Sequence, residues 1–373
     1  MKKVLISAGE PSGDLHGGSL IRELKKLVEV EFYGMGGDRM REAGCHILYD
    51  CSGLSVVGFS EIFSKLRRLR EASRTLNRFM LEEKPSLVVL IDYPGFNLRL
   101  ARMAKAKSIP VVYYVAPQVW AWGNWRIRAI EKYVDELICI LPFETDFYRR
   151  YSVRTTFVGH PLLDSVSSEL CGADFREQFR LEKEKILIGL LPGSRREEVR
   201  RILPIMLEVK RSLEQLLEAQ FVLIVFPGVN SEVRAMLGKH ATNMTIVENR
   251  THEAIKHSDI LLCTSGTVTL EALILGTPML ILYKVSFLSW LIGRLLVKIP
   301  CIGLVNIIAG KEIAREFVQF AAKPSKIVDA SVRLLNTRAT VEDELRSVRG
   351  KLGERGAAKK AAVVVTQMLT RCS

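Results

Sequence analysis

Acidic and hydroxyl side chains stand in a glycine-rich segment directly after the apolar run Val4–Ile6. Four glycines between positions 7 and 18 let the backbone approach a ligand closely, and the N-terminus of a following helix attracts anions. The spacing is not the dinucleotide fingerprint, since Gly9 and Gly13 are four positions apart, and it is not Walker A, since no Lys-Ser or Lys-Thr pair follows. Glu10, Ser12 and Asp14 are therefore candidates either for substrate contact or for capping the next helix.

Asp92 follows an apolar run and opens the turn Asp-Tyr-Pro-Gly-Phe-Asn, residues 92–97. A carboxylate at the carboxyl end of a buried strand can act as a general base, because partial burial raises its pKa toward the working pH. The alternative is that Asp92 accepts backbone N–H groups in a strand-to-helix turn. The residues alone leave both roles open.

A basic turn lies in the second half of the chain, in the segment Leu-Leu-Pro-Gly-Ser-Arg-Arg-Glu-Glu-Val, residues 190–199. Gly193 opens the turn, Ser194 can cap the following helix, and Arg195 or the arginine after it can grip a diphosphate with two parallel hydrogen bonds. A helix N-terminus disfavours cations unless an anion is bound there. The turn therefore indicates a phosphate ligand.

A run of small hydroxyl residues forms the second phosphate candidate of this half. It comprises Thr264, Ser265, Gly266 and Thr267, and Glu271 follows one helical turn later. Such a helix start offers N–H groups to phosphate, and the glutamate can accept hydrogen bonds from ribose hydroxyls. Alone, the run is typical of an ordinary N-capped helix. Together with the basic turn, it favours a diphosphate site.

The sequence predicts neither a metal nor a cofactor. No Asp-x-Asp occurs, and the seven cysteines form no Cys-x-x-Cys pair. We therefore expect reduced, mostly buried thiols in a cytoplasmic protein. Cationic side chains and helix N-termini must then hold the diphosphate.

Two apolar stripes are edged by lysine and arginine, the first within residues 58–70 and the second within residues 284–298. Such stripes are typical of helices that lie on a membrane surface, although an ordinary core-facing helix remains an alternative for the first. Between Leu270 and Gly310 the longest charge-free pieces, 272–283 and 299–310, are 12 residues each, short of the roughly 20 that a spanning helix needs. The predicted membrane contacts are Phe59, Ile62, Phe63, Leu66, Trp290 and Leu291.

The elements that position these residues alternate between strand and helix. Buried-strand runs such as 3–8, 87–91, 186–190 and 260–263 are separated by helical periodicity, the first helix being expected at Gly18–Val28. This pattern predicts an α/β protein with two Rossmann-like domains whose parallel sheets face a central cleft. We expect domains at 1–165 and 166–344, with a C-terminal helix at about 345–373 that packs back on the first.

The charge balance limits the classes of partner that we expect for this protein. The chain has 54 Lys+Arg and 41 Asp+Glu, a formal net charge of +13. This suits an anionic membrane surface or phosphate groups. Nucleic acid is not expected, because the basic residues are dispersed and no recognised nucleic-acid motif is present.

Taken together, these segments resemble the lipid-A-disaccharide synthase family, over nearly the whole chain and in order. The resemblance implies a GT-B glycosyltransferase. The matching segments are SAGEPSGD (7–14), IDYPGFN (91–97), YVAPQVWAW (114–122), LPFE (141–144), FVGHPLLD (157–164), LLPGSRREEV (190–199), TSGTVTLEA (264–272) and LVNIIAG (304–310).

The family resemblance implies an inverting hexosyltransferase of lipid A biosynthesis. It would join UDP-2,3-diacylglucosamine to 2,3-diacylglucosamine 1-phosphate, giving the β-1,6-linked disaccharide 1-phosphate of lipopolysaccharide and UDP. The enzyme would be peripheral on the cytoplasmic face of the inner membrane, and a homodimer is compatible with this interpretation.

The resemblance also implies roles for individual residues. Asp92 would be the base on the acceptor hydroxyl, Glu10 would lie near the reaction centre, and Arg195 would support the diphosphate. Asn306 would belong to the same site. Members of the family often carry a second aspartate where this chain has Gly95, which leaves Asp92 as the base.

Further substrate contacts are predicted in the aromatic segment, at Gln118 and Trp120, although the tryptophan can equally belong to the core. The competing hypothesis is another GT-B enzyme, either a UDP-GlcNAc-dependent lipid glycosyltransferase or a UDP-sugar epimerase. An epimerase has no need of cationic apolar stripes.

Overall fold

A computed structural model describes residues 1–52, 62–166, 175–237, 244–287, 290–291, 293 and 300–371, without the side chains of 62–65. The chain divides into two compact units. One comprises Met1–Pro161 with Gly353–Ser373, and the other comprises Leu162–Leu352.

The first unit is built on a parallel sheet with seven strands in the described residues. Its strands are β1 (Lys2–Ala8), β2 (Val30–Gly36), β3 (Cys45–Asp50), β4 (Leu87–Ile91), β5 (Val111–Tyr114), β6 (Glu136–Cys139) and β7 (Thr155–Phe157). Its helices are α1 (Pro11–Leu24), α2 (Asp38–Glu42), α3 (Ile62–Glu82), α4 (Pro94–Lys105), α5 (Ile127–Tyr133) and α6 (Glu144–Arg149).

The strand order β3-β2-β1-β4-β5-β6-β7 changes direction between β1 and β4. Register places Ala8 beside Ile91, and Ile91 beside Tyr114. The loops after β1 and β4 therefore leave the same edge of the sheet side by side. In open α/β sheets, ligands bind at this kind of switch point.

The second unit repeats the design with six strands in its described part, in the order β10-β9-β8-β11-β12-β13. These are β8 (Ile186–Leu191), β9 (Ala219–Val225), β10 (Thr245–Glu248), β11 (Ile260–Thr264), β12 (Met279–Tyr283) and β13 (Glu316–Val318). Cys263 of β11 pairs with Leu191 of β8, so the loops after these two strands are neighbours at the second switch point.

Helices cover both faces of this sheet. They are α7 (Leu162–Val166), α8 (Phe175–Gln178), α9 (Arg196–Leu216), α10 (Asn230–Leu237), α11 (Thr251–His257), α12 (Val268–Leu275), α13 (Leu304–Ala309), α14 (Pro324–Asn336) and α15 (Arg338–Gly350). The last helix, α16 (Ala357–Arg371), belongs to the first unit, where it packs on α1 and where Lys2 Nζ donates to the Leu369 carbonyl at 3.1 Å.

The two parallel, Rossmann-like sheets confirm the α/β expectation, but three edge or near-edge strands lay outside the sequence prediction: β2, β3 and β13. Charged, polar or glycine residues interrupt these strands, so they lack the continuous apolar run that marks β4. The first helix begins at Pro11, not at Gly18, because proline at the first helical position is compatible with the helix start.

Within the described ranges, no helix combines the length and the apolarity that crossing a bilayer demands.

Candidate active site

Asp92 lies in a strained turn at the switch point of the first unit. Asp92 and Tyr93 both have positive φ, +46° and +50°, a conformation that non-glycine residues rarely adopt outside sites that hold it in place. The Asp92 N–H donates to the Tyr114 carbonyl at 3.1 Å, and the Tyr113 hydroxyl donates to the Asp92 carbonyl at 2.5 Å. These bonds hold the backbone of the turn.

Asn97 is the main brace of this turn, and the sequence reasoning did not single it out. The side chain is fully buried. Its Nδ2 donates to the carbonyls of Asp92 at 2.7 Å, Ile91 at 3.0 Å and Ser7 at 3.3 Å, while the Ser7 hydroxyl donates to its Oδ1 at 2.7 Å. A single amide thus joins the ends of β1 and β4. The sequence signal for this brace is an asparagine five residues after an aspartate at the end of a strand.

The Asp92 carboxyl is half-buried, and burial raises its pKa above the usual value. The Tyr93 N–H, donated to the carboxylate, lowers the pKa, and the negative charge of Glu10 raises it. Glu10 is exposed at the start of α1, where its side chain makes no capping bond. The register therefore brings both predicted acids to one edge of the sheet.

The loop after β1 passes close to the Tyr93 ring at Gly9. A β-carbon at Gly9 would overlap the Tyr93 ring, so only glycine lets the loop after β1 pass over the turn that carries Asp92.

Glu144 is a further buried carboxyl near Asp92, and it closes the segment LPFE (141–144). It accepts hydrogen bonds from the N–H groups of Leu141 at 3.1 Å and Ile140 at 3.3 Å, and from Trp120 Nε1 at 3.2 Å. Burial raises the pKa of Glu144 to about 7, and these three donors and the Asp92 charge act on it more weakly. The carboxyl fixes the half-buried Trp120 indole.

The remaining candidates of the first unit differ in exposure. Ser12 and Gln118 are exposed, in the first turn of α1 and after β5 respectively. Asp14 is buried, and its carboxylate accepts the N–H groups of Gly37 at 2.7 Å, Arg39 at 3.0 Å and Met40 at 3.1 Å. Its acceptor positions are thus occupied at the start of α2, 23 to 26 residues away in the sequence.

A cavity of about 200 Å³ in the second unit joins the two loops that the sequence predicted to bind phosphate. Its walls include Gly193, Ser194, Arg195, Thr264, Ser265, Gly266, Thr267 and Glu271. The pairing of β8 with β11 explains this proximity, because both loops leave the same edge of the sheet.

The basic turn is held by Glu198. Its Oε2 accepts the N–H groups of Ser194 at 3.2 Å and Arg195 at 3.3 Å, and its Oε1 lies 3.3 Å from Arg195 Nη1. Gly193 has φ +122°, and a β-carbon there would overlap Glu198. The Arg195 side chain is 83% exposed, so its guanidinium can turn toward a ligand.

Glu271 places a buried carboxylate oxygen on the wall of this cavity. Its Oε2 atom is buried and has no hydrogen-bond partner in the described structure, and His252 Nε2 lies 3.8 Å away. A buried carboxylate oxygen without a donor costs free energy, and a ligand hydroxyl would satisfy it. On the same wall, the Ser265 hydroxyl donates to the Ile302 carbonyl at 3.2 Å.

Asn306 does not face the cavity with a free amide. Its Nδ2 donates to Ala314 O at 2.6 Å and Glu316 Oε1 at 2.8 Å, and its Oδ1 accepts the N–H groups of Ile313 and Ala314, both at 2.9 Å. Glu316 Oε2 in turn accepts the Ile302 N–H at 2.8 Å. Asn306 therefore reaches the hydroxyl loop through Glu316 and Ile302.

The predicted membrane contacts are described only in part. Leu66 and Leu291 are exposed, and Trp290 is half-buried. Trp290 contacts the rings of Phe287 and Phe320, which are 61% and 64% exposed. Phe59 lies outside the described residues, as do the side chains of Ile62 and Phe63.

A family model described as lipid-A-disaccharide synthetase matches residues 4–367. The lipid-A-disaccharide synthase of Syntrophus aciditrophicus (strain SB) is 42% identical over 99% of this chain and 98% of its own length. That of Trichlorobacter lovleyi (strain ATCC BAA-1151 / DSM 17278 / SZ) is 40% identical over the same shares.

Solved structures share the fold. The calicheamicin glycosyltransferase CalG4 superposes with a TM-score of 0.67 at 16% identity, over 100% of this chain and 99% of its own. The UDP-GlcNAc 2-epimerase from Neisseria meningitidis, bound to UDP-GlcNAc, superposes with a TM-score of 0.62 at 14% identity, over 99% and 100%. At these identities the likeness concerns the fold alone.

Proposed function

Because the chain belongs to the lipid-A-disaccharide synthetase family, it is a glycosyltransferase of lipid A biosynthesis, and we propose how its two switch points divide the work. The first unit binds the acceptor, 2,3-diacylglucosamine 1-phosphate, and the second binds the donor, UDP-2,3-diacylglucosamine. The observation that carries this division is the buried Glu271 oxygen, which accepts no hydrogen bond in the described structure and lies on the same cavity wall as the basic turn, an arrangement that suits a nucleotide.

Asp92 is the general base of the proposed reaction. Its carboxylate takes the proton of the acceptor's primary hydroxyl while that oxygen attacks the anomeric carbon of the donor. The bond from the anomeric carbon to the diphosphate oxygen breaks, and UDP leaves with the bonding electrons. One displacement inverts the anomeric configuration and gives the β-1,6-linked disaccharide 1-phosphate. The raised pKa of Asp92 supports this role, because a base works best near the operating pH.

Donor binding is assigned to three groups of the second unit. The Arg195 guanidinium, displaced from Glu198, pairs with the diphosphate, and the N–H groups that open α12 after Thr264–Thr267 add hydrogen bonds. Glu271 accepts a ribose hydroxyl. Charge growing on the departing diphosphate strengthens these contacts in the transition state, which is the condition for catalysis.

We extend the proposal to the surroundings of the enzyme. Both proposed substrates are lipids, so the protein would work as a peripheral protein at the cytoplasmic face of the inner membrane. The exposed apolar side chains Leu66, Phe287 and Leu291 support a surface contact. A homodimer is part of the proposal, and sedimentation equilibrium measures it.

Incubation with UDP-diacylglucosamine and the monosaccharide phosphate, followed by mass spectrometry, tests the reaction. The expected products are the disaccharide 1-phosphate and UDP in equal amounts. Formation of a 2-epimer without any disaccharide would instead favour the epimerase alternative, which the named relatives do not favour.

A further inference from the structure

An apolar groove of about 710 Å³ lies between α3 and α4 in the first unit, and Leu66, proposed above as a surface contact, forms part of its wall. Its volume falls within the roughly 300–1,000 Å³ of small-molecule sites. Apolar side chains dominate its walls, among them Leu66, Leu69, Phe96, Leu100 and Met103. Leu66 is 46% exposed, so the groove opens to the surface at this end.

The groove also reaches the proposed base. Tyr93 and Gly95 line it, and they belong to the turn that follows Asp92 directly. A β-carbon at Gly95 would meet no atom within 4 Å, so the groove has open space beside this turn. A molecule in the groove therefore passes close to Asp92.

Three arginines line the same groove: Arg70 and Arg74 from α3, and Arg99 from α4. Within the described ranges, none of the three has an ion pair with a carboxylate, whereas Arg67 and Arg78 on α3 pair with Glu71 and Glu82 at 3.0 and 2.7 Å. Three unpaired cations beside an apolar wall are complementary to a ligand that has both an acyl chain and an anionic group.

We propose that this groove is the acceptor subsite: one acyl chain lies along the apolar wall, and the sugar phosphate pairs with Arg70, Arg74 and Arg99. The inference rests on the proposed function, because it takes the acceptor of that reaction as the occupant. It goes further by assigning phosphate recognition to α3 and α4. It also explains how the acceptor hydroxyl is brought to the Asp92 side of the unit.

The phosphate contact is tested with Arg70→Gln, Arg74→Gln and Arg99→Gln. Arg78→Gln and Arg102→Gln are matched controls, since they change charge on the same two helices outside the groove. The KM for the acceptor should rise about tenfold for each groove variant, as expected for one charge-assisted bond, with the KM for the donor unchanged. The controls should stay within about twofold of wild type.

An acceptor without its phosphate completes a double-mutant cycle. Wild type should bind the unphosphorylated acceptor weakly, and the three arginine substitutions should not weaken this binding further. If the arginine variants weaken the binding of phosphorylated and unphosphorylated acceptors by the same factor, the arginines do not contact the phosphate and the proposal is overturned.

The acyl contact is tested with Gly95→Phe, which fills the open space beside the turn. It should raise the KM for a long-chain acceptor and leave that for a short-chain one unchanged, with Gly95→Ala as the control. Equal effects on both chain lengths would overturn the acyl assignment.

Two measurements separate the remaining outcomes. If the arginine variants lose binding to anionic phospholipid vesicles but keep the wild-type KM in detergent micelles, the groove contacts lipid headgroups and the subsite is refuted. Calorimetric binding of the acceptor alone, without donor, isolates the inference from the reaction. Arginine-dependent binding supports the subsite even if no disaccharide forms, whereas disaccharide formation with unaltered acceptor binding in the variants removes it.

Discussion

At the scale of single residues, two carboxyl groups near the first switch point owe their proton affinities to burial. Asp92 is half-buried and close to Glu10, whereas Glu144 is fully buried and surrounded by three donors. Both pKa values are raised, with burial as the main cause. The same physical effect thus serves a proposed base in one case and a packed structural group in the other.

Asp92→Asn should lower kcat by about 10²–10⁴-fold, the usual contribution of a general base. Because burial raises the Asp92 pKa, the acidic limb of the wild-type profile should lie above the ordinary aspartate range. Glu10→Gln removes a charge that raises this pKa, so the limb should move to lower pH. Glu29→Gln, an exposed carboxylate of the same unit, should leave it in place. An unmoved limb in Glu10→Gln would contradict the proximity argument.

The raised pKa of Glu144 predicts that the stability of the protein depends on pH. Its pKa is raised from 4.5 to about 7 in the folded state, so between these values the folded protein binds a proton that the unfolded chain releases. The free energy of unfolding should therefore fall as pH rises through this window, by up to about 3 kcal/mol. Glu144→Gln should remove that slope.

Urea denaturation at several pH values between 4.5 and 7.5 measures this difference, with the exposed Glu131→Gln as the control. A constant stability gap between wild type and Glu144→Gln would show that Glu144 does not titrate on folding.

At the scale of elements, strand order decides which loops meet. In each unit the chain leaves one strand, builds the strands on one side, and returns to the other side of the starting strand. The loops after β1 and β4, and those after β8 and β11, are adjacent for this reason. Asn97 then ties the first pair together. In the second pair, Glu198 holds the basic turn after β8, and Ser265 after β11 bonds to the Ile302 carbonyl.

The second pair of loops predicts metal-independent binding of UDP. Arg195→Ala should lower kcat by about 10²–10³-fold, because it removes a cation from the departing diphosphate. Arg196→Ala is the matched control, an exposed arginine one residue later that is absent from the cavity wall. UDP should raise the Tm of wild type without Mg²⁺, and less so for Arg195→Ala. A strict requirement for Mg²⁺ in this shift would argue against the assigned groups.

At the scale of the whole molecule, charge and exposed apolar surface act together. The net charge of +13 is combined with exposed aromatic side chains, Phe287 and Phe320, around Trp290. Cationic and apolar surface together are typical of proteins that bind anionic membranes. Phe320 comes from a segment distant in sequence, which is why the sequence stripe did not include it.

Vesicle sedimentation tests this surface. Wild type should bind anionic vesicles, and binding should weaken as salt is raised from low to physiological concentration, because exposed charges are screened. Leu66→Ser and Phe287→Ser should each increase the unbound fraction, whereas Leu216→Ser, also an exposed leucine, should not. If all variants bind the vesicles to the same extent as wild type, Leu66 and Phe287 do not contact the membrane.

The sequence alone determined the α/β class and the buried central strands, and it indicated the loops that we propose to carry the chemistry, because continuous apolar runs and glycine turns are local patterns. Tertiary structure decided which loops meet, since strand order depends on pairing between distant segments. It also decided which polar groups are already satisfied: Asp14 by the start of α2, and Asn306 by residues 313–316. A local pattern shows that a side chain is polar, but only the folded chain supplies its partner.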